Sequence, residues 1–588
     1  MTKKSDFIAY TCASRLIDQS QAQQEFTEGA LKKYRIPEQK RDPQLVYRTI
    51  RDELELNSKP SLNLATFVTT WMDDEAIQLA VESIDVNLID RSMYPMSTEI
   101  HKRIVAMEAD MLHADYDPEA EGPNFIGTGT VGSSEAVMLA ILAHKTKWME
   151  WYDRLPKEKR PADGRIPNLV IGGAYQVCWE KVYKFFDIAG LDKYKNDSEE
   201  KCQCKIPSEE TDPDCNGFWG GILWGIKKSD FFPKIGFLRT IWDPQNIKKR
   251  PIFKPSPKSV TVRTDPRQRC RIIPLEEGRR VVTKEVIEKC IADGTIDDNT
   301  IAIGLVLGTT LTGEVDEIWE INEVLKDFND EREAKAKENG LPCCYRIPIH
   351  VDGAYGGFIL PFTKPERQWD FRLSEVQSIN ISNHKFGLVY AGLGSVIFRN
   401  NQVVPEYLFT QVNYLGSIIN DYALNFSRGS WQVICQYYNF LRLGRKGYEE
   451  IMRRIIKVAT ALAKELTIEK RYVDAQQNPY FKLLTTKVDA SSSEVLLPNI
   501  VVQLNENVPF TATELSNRLK QDGWSVPAYT LPCNLTNVSV LRMVVKENFN
   551  MNMAELFLEN MDNAIEDLRQ NRTCPTDVVR KCNSNVIC

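Results

Sequence analysis

The 588-residue chain has no uninterrupted apolar stretch approaching the roughly 20 residues that a membrane-spanning helix needs. Its opening, MTKKSDFIAYTCASRL, carries two lysines but too short an apolar run for a secretory signal. Positive charge is not in excess: the formal net charge is −6, so electrostatics give no reason to expect nucleic acid as a partner. Histidine is scarce, at five residues. Cys202, Cys204 and Cys215 cluster, but no fourth Cys or His lies near them, so a closed four-ligand zinc site is not expected. Without an export signal, the 14 cysteines read as reduced thiols, which predicts a reducing, cytoplasmic location. Internal repeats and low-complexity tracts are also missing.

What is present is an ordinary globular composition, 43% hydrophobic and 26% charged. The length suggests roughly two to four packed units. Residues 1–62 are polar and mixed, and read as an N-terminal arm. Residues 63–455 read as a large domain and 456–588 as a small C-terminal α+β domain with a frayed tail. Apolar residues at helical spacing, without Gly or Pro, predict a helix over 134–151. Segments 301–307 (IAIGLVL) and 347–351 (IPIHV) are short and rich in branched apolar residues, as buried parallel strands are. Helical patterns such as 318–328 alternate with them, which argues for an α/β sheet covered on both faces. Residues 190–270 hold the cysteine cluster, many Pro and Gly, and aromatics such as Trp219 and Trp242, and read as an insertion. Beyond 456, a helix over 458–469, strands near 498–504 and 538–546 and a helix near 552–569 are expected.

Four segments carry chemistry. In SINISNHKFG (378–387), Lys385 follows a short strand, and Ser382 and His384 beside it suit a phosphate. A desolvated lysine amine can condense with an aldehyde. In IPIHVDGAYGGF (347–358), Asp352 sits at the carboxyl end of a buried strand, where open α/β sheets bind ligands. A carboxylate there can pair with a protonated pyridine nitrogen, and the small Gly353 and Ala354 admit a flat ring. GTGTVGSSEA (127–136) runs into the predicted helix and offers backbone N–H groups and hydroxyls to a phosphate. It also satisfies G-x-G-x-x-G, so a nucleotide-binding oxidoreductase is an alternative; the turn-like residues before it argue against the βαβ unit that such a motif requires. GTTLTG (308–313) is a hydroxyl-rich turn at the end of a predicted strand.

Together these segments resemble the pyridoxal 5'-phosphate (PLP)-dependent group II amino-acid decarboxylases, and most closely the glutamate decarboxylases of bacteria, plants and fungi. TTWMDDEA (69–76), GSSEA (132–136), QVCWEK (176–181), TGEV (312–315), HKFG (384–387), NYLG (413–416), NFSRG (425–429) and FLRLGRKGYE (440–449) are similar to stretches of that family in the same order. The resemblance implies an aspartate-aminotransferase-like (PLP fold type I) α/β large domain with a mainly parallel seven-stranded sheet. It implies a homodimer or higher oligomer with active sites at the subunit interface, and an amino acid rather than a macromolecule as partner. Lys385 resembles the Schiff-base lysine and Asp352 the partner of the pyridine nitrogen. Ala354 and Gln176 would cover the two ring faces, and Thr310 would contact the ring region. Ser133, Ser134, Ser382 and His384 would hold the phosphate, with Ser427 reaching it from a neighbouring subunit. Thr66, Phe67 and Asp90 match the recognition of a distal carboxylate, which requires a shared proton and hence acid pH. Arg542 resembles the arginine that orients the α-carboxylate, and Tyr414 a proton donor to the α-carbon. Gly353, Tyr355 and Asn383 stand where close relatives have Ala, Ser and Gly. Tyr355 and Asn383 are similar to the aromatic amino-acid branch, so decarboxylation of an aromatic or specialised amino acid stands as the alternative to glutamate.

Overall fold

The computed structural model describes residues 40–115, 126–161, 164–189, 271–341, 344–412, 419–468, 471–489 and 491–570, together with Ile36. The expected insertion at 190–270, the cysteine cluster within it, Tyr414 and residues 571–588 lie outside these residues.

The large sheet has seven strands: β1 (Gly127–Thr130), β2 (Asn168–Gly172), β3 (Ile272–Ile273), β4 (Thr300–Val306), β5 (Ile349–Gly353), β6 (Val376–Ile381) and β7 (Gly394–Phe398). Their spatial order is β1-β7-β6-β5-β4-β2-β3. The pairs from β6 through β5, β4 and β2 to β3 are parallel. β7 and β1 close one edge antiparallel. All seven residues of β4 and all five of β5 are buried, as branched apolar strands between two helical layers must be. The helix Ser133–Arg154 packs on this sheet through Leu139 and the small Ala136, Ala140 and Ala143, which allow a close approach to β7.

The G-x-G-x-x-G stretch therefore forms a strand, but an edge strand antiparallel to β7. It is not the first strand of a parallel βαβ unit, and the dinucleotide reading fails on that topology.

β8 (Thr410–Val412) and β9 (Ile419–Asp421) form a separate two-stranded ribbon. A second sheet, in the order β10-β11-β13-β12, is built from β10 (Phe481–Leu483), β11 (Asn499–Leu504), β12 (Ala528–Thr530) and β13 (Ser539–Val544). Helices Ala512–Gln521 and Met551–Arg569 accompany it. The first starts with a capping box between Thr511 and Glu514, the second with Asn550 accepting from Met553 N. The helix expected from 458 begins earlier: within Trp431–Thr467 two helices meet at the non-helical Gly444 (φ 56°, ψ −172°), and the second runs on from there. The expected boundary at 455/456 falls inside it, because Met452, Ile455, Ile456 and Ala459 continue a single buried stripe.

Residues 62–70 strap the two sheets together. Leu64 N donates to Ser525 O (3.0 Å) and Val544 N donates to Leu64 O (2.9 Å). Further along, the buried Lys546 donates to Val68 O (3.2 Å), and Thr69 N donates to His384 O (2.9 Å). The strap thus runs from the second sheet to the loop that follows β6.

Candidate active site

The register of β5 on β6 sets His350 opposite Ser378 and Asp352 opposite Asn380. Alternate residues of a strand share a face, so these four polar side chains meet inside the sheet. Asp352, 4% exposed, is held by three donors. Asn380 Nδ2 (2.9 Å) and Ala354 N (3.2 Å) reach its Oδ1, and Trp179 Nε1 (3.1 Å) reaches Oδ2. Trp179 fits only because residue 304 on β4 is glycine: a Cβ there would lie 2.6 Å from the indole Cη2.

Behind Asp352 the chain continues. Asn380 Oδ1 meets His350 Nε2 (2.9 Å), His350 Nδ1 meets Ser378 Oγ (2.8 Å), and Ser378 Oγ meets His144 Nε2 (2.7 Å). The amide oxygen can only accept, which puts the His350 proton on Nε2 and makes Ser378 the donor to Nδ1 and His144 the donor to Ser378. Burial presses His350 down to about 4 and His144 to about 3, so both rings are neutral at pH 7. Every donor in the relay points toward the carboxylate.

Lys385 lies four residues beyond β6, with its Nζ 5.2 Å from the centre of the Phe67 ring. Burial pushes its ammonium below the usual lysine value; Asp352 and Cys178 oppose that shift and Arg542 adds to it. The amine and the Arg542 guanidinium thus both lie against the Phe67 ring, at 5.2 and 5.4 Å from its centre. Thr69 Oγ1 donates to Lys385 O (2.5 Å) and anchors the loop to the strap. Phe67, 7% exposed, packs against Tyr355 (4.9 Å between ring centres) and lies 5.4 Å from Arg542 Cζ. Arg542 donates to Thr310 O (3.1 Å) and Ala65 O (2.6 Å), which aims it across Phe67. Its Nε and the Tyr355 hydroxyl are buried without a partner.

A third group forms at the start of the helix Ser133–Arg154. Gly132 (φ 155°) makes the turn, and a Cβ there would press on His384 Cε1 at 3.0 Å. The hydroxyls of Ser133 and Ser382 touch each other. Burial, reinforced by the charge of Lys385, presses His384 down to about 4, and its Nδ1 is buried without a partner. First-turn amides, two hydroxyls and an orphaned imidazole nitrogen are a donor set for a phosphate. Ala354 lies between this cradle and the acid, donating its N–H to Asp352 and accepting from Ser382 N (3.2 Å).

The other expected residues are distributed as follows. Ser134 is half-buried in the first helical turn. Gln176 is exposed, and its Oε1 accepts from Cys178 N (2.6 Å) at the start of the helix that carries Trp179. Thr66 is exposed on the strap beside Phe67. The segment before Asp90 is bonded to the segment around Ser427. Leu88 N donates to Arg428 O (2.8 Å), and Asn87 Nδ2 donates to the exposed Ser427 Oγ (3.5 Å). Sequence reasoning missed Trp179, Asn380, His350 and Ser378. The signal for three of them was legible: polar residues at alternate positions of two apolar strands, 350/352 and 378/380/382.

An amine, a buried acid and a phosphate cradle at the carboxyl ends of neighbouring parallel strands define a PLP enzyme: Lys385 would hold the aldehyde, Asp352 the ring nitrogen, and the cradle the phosphate. The sequence profile described as the pyridoxal-dependent decarboxylase conserved domain matches residues 37–209 and 258–478, and the chain belongs to that family. The enzyme is thus a carboxy-lyase. Among similar proteins, the glutamate decarboxylase of Solanum lycopersicum is 33% identical over 559 residues, covering 94% of this chain and 87% of the relative. That of Lactococcus lactis is 32% identical over 542 residues, covering 92% and 91%. The solved glutamate decarboxylase of Lactobacillus brevis superposes with a TM-score of 0.68 at 32% identity, covering 92% of this chain and 97% of that one.

Proposed function

We propose that the protein decarboxylates L-glutamate to 4-aminobutanoate and CO₂, with Lys385 and Asp352 as the catalytic pair. The observation that carries the reading is the buried, three-donor Asp352 together with Lys385 and Arg542 placed against one Phe67 ring, joined to full-length similarity to glutamate decarboxylases. The cofactor, once bound, supplies an electron sink for the bond that breaks as CO₂ leaves.

The protein's own groups set up that event. Burial lowers the pKa of Lys385, the direction that favours a nucleophilic amine. Asp352, fixed by three donors, holds a positive charge in place at the end of β5. Arg542 orients the α-carboxylate, and its unpartnered Nε is available for it. Phe67 excludes water beside the amine, while Thr66 and Asp90 recognise the distal carboxylate. Tyr414 holds the proton that replaces CO₂ on the α-carbon.

Ser427 serves the phosphate site of a neighbouring subunit in a homodimer. The exposed Met93, Leu424 and Phe426 near it, an apolar surface of the kind that subunit contacts cover, support that arrangement. The profile match breaks between 209 and 258, inside the expected insertion at 190–270. A cytoplasmic location follows from the reading of the cysteines as reduced.

A second reading, an aromatic or specialised amino acid, rests on Tyr355, whose unpartnered hydroxyl lies in the pocket wall beside Phe67. Amine-product analysis over a panel of amino acids, with added PLP, separates the two. The glutamate reading requires 4-aminobutanoate to dominate; dominant tyramine, tryptamine or another amine would replace it.

A further inference from the structure

The loop carrying Lys385 is fastened from beneath by Asn383. Its Nδ2 donates to Glu108 Oε1 (2.5 Å) and to Gln436 Oε1 (3.1 Å), and its Oδ1 accepts from Ser395 Oγ (3.1 Å). Both amide hydrogens and the amide oxygen are thus engaged. Gln436 continues to Tyr448, whose hydroxyl donates to Gly387 O (2.9 Å), so the network grips the loop at both ends. Asn383 stands between Ser382 of the phosphate cradle and His384 and Lys385. Glu108, on the helix Pro95–Met111, is fully buried, and its Oε2 has no partner.

We infer that Glu108 and Asn383 are positioning residues for Lys385, and that a buried charge on Glu108 loosens this fastening. The inference rests on the reading of Lys385 as the cofactor lysine. The Asn383 amide and the Ser395 hydroxyl favour the carboxylate, but with no counter-charge its burial outweighs them and the neutral acid prevails. The groups facing Glu108 are Asn383 of the loop, Ser395 of β7, and Gln436 and Tyr448 of the helix Trp431–Thr467. Of these only Tyr448 titrates, and burial pushes its phenol far up. On its own helix, His101 turns to Gly129 N, Arg103 to Glu99 and Tyr437, and Asp110 to Arg445. Among the described residues no cation faces Glu108. Burial lifts its carboxyl to about 7. Ionisation above that pH places an unsolvated charge under the loop, which is relieved by opening the loop to water and displacing Ser382, His384 and Lys385 together.

Two measurements on wild type and Glu108→Gln test this. The first is the thermal midpoint of the cofactor-free protein against pH. An unfolded glutamate ionises near 4.5 and the folded one near 7, so the folded state binds the extra proton in between. Wild type must therefore lose stability relative to Glu108→Gln as pH rises from about 4.5 to 7, with a level difference above. The second is PLP retention by equilibrium dialysis. Wild-type affinity should fall by up to about tenfold per pH unit above 7, while the Gln variant keeps its affinity. Glu108→Met, which fills the space without titrating, carries the same test should the Gln variant fail to fold. Superimposable pH curves for wild type and variant overturn the inference. A Lys385→Ala variant with normal turnover would instead overturn the reading beneath it.

Discussion

Asp352→Asn separates what the acid does for the fold from what it does for the reaction. Asp352 Oδ1 accepts two donors, Asn380 Nδ2 and Ala354 N, and Oδ2 accepts Trp179 Nε1. An asparagine keeps its single oxygen on the side with two donors, so its amide nitrogen faces the indole N–H. That strands a buried donor, at a cost of about 1–3 kcal/mol. The same substitution removes the charge that holds the cofactor nitrogen protonated, and the turnover rate should drop by at least about 10²-fold. Trp179→Phe in the Asn background removes the stranded donor. The double variant should then be destabilised by less than the sum of the singles, with a coupling of about 1–3 kcal/mol, while its rate stays low. Denaturant unfolding of the cofactor-free proteins gives the cycle, and steady-state amine production gives the rate. Strict additivity would refute the Trp179–Asp352 bond as an energetic link. A normal rate in Asp352→Asn would refute the electrostatic role of the acid.

Other perturbations address the remaining parts of the site. Arg542→Met removes the guanidinium held by Thr310 O and Ala65 O. kcat/KM for the substrate should fall on the order of 10²-fold, and an unchanged value would exclude Arg542 from carboxylate binding. Ser382→Ala deletes one hydroxyl of the cradle and should weaken PLP binding about tenfold in equilibrium dialysis; equal affinity would place the phosphate elsewhere.

Much of this architecture was legible in the sequence because it rests on local patterning. The branched apolar runs that became β4 and β5, and the Gly- and Pro-free stretch that became the helix Ser133–Arg154, announce themselves by period and composition. Lys385 and Asp352 were legible as strand-end residues. β1 was not, because Gly127–Thr130 contains no large apolar residue and is a strand only by pairing with β7. The partners of Asp352 were hidden for a related reason. Trp179 reaches the acid across β4 through the space left at Gly304, and Asn380 meets it through the β5–β6 register. Both depend on which strands become neighbours, which no window of sequence encodes. Glu108 was invisible for the same cause: it is 275 positions from Asn383, and only tertiary packing joins them.

The account depends most on Lys385 as the residue that holds PLP. The direct measurement is borohydride reduction of the PLP-loaded protein, followed by proteolysis and mass spectrometry. A phosphopyridoxyl group should appear on Lys385 and be lost in Lys385→Ala. The label on a different lysine, or none on a protein that still turns over glutamate, would contradict it.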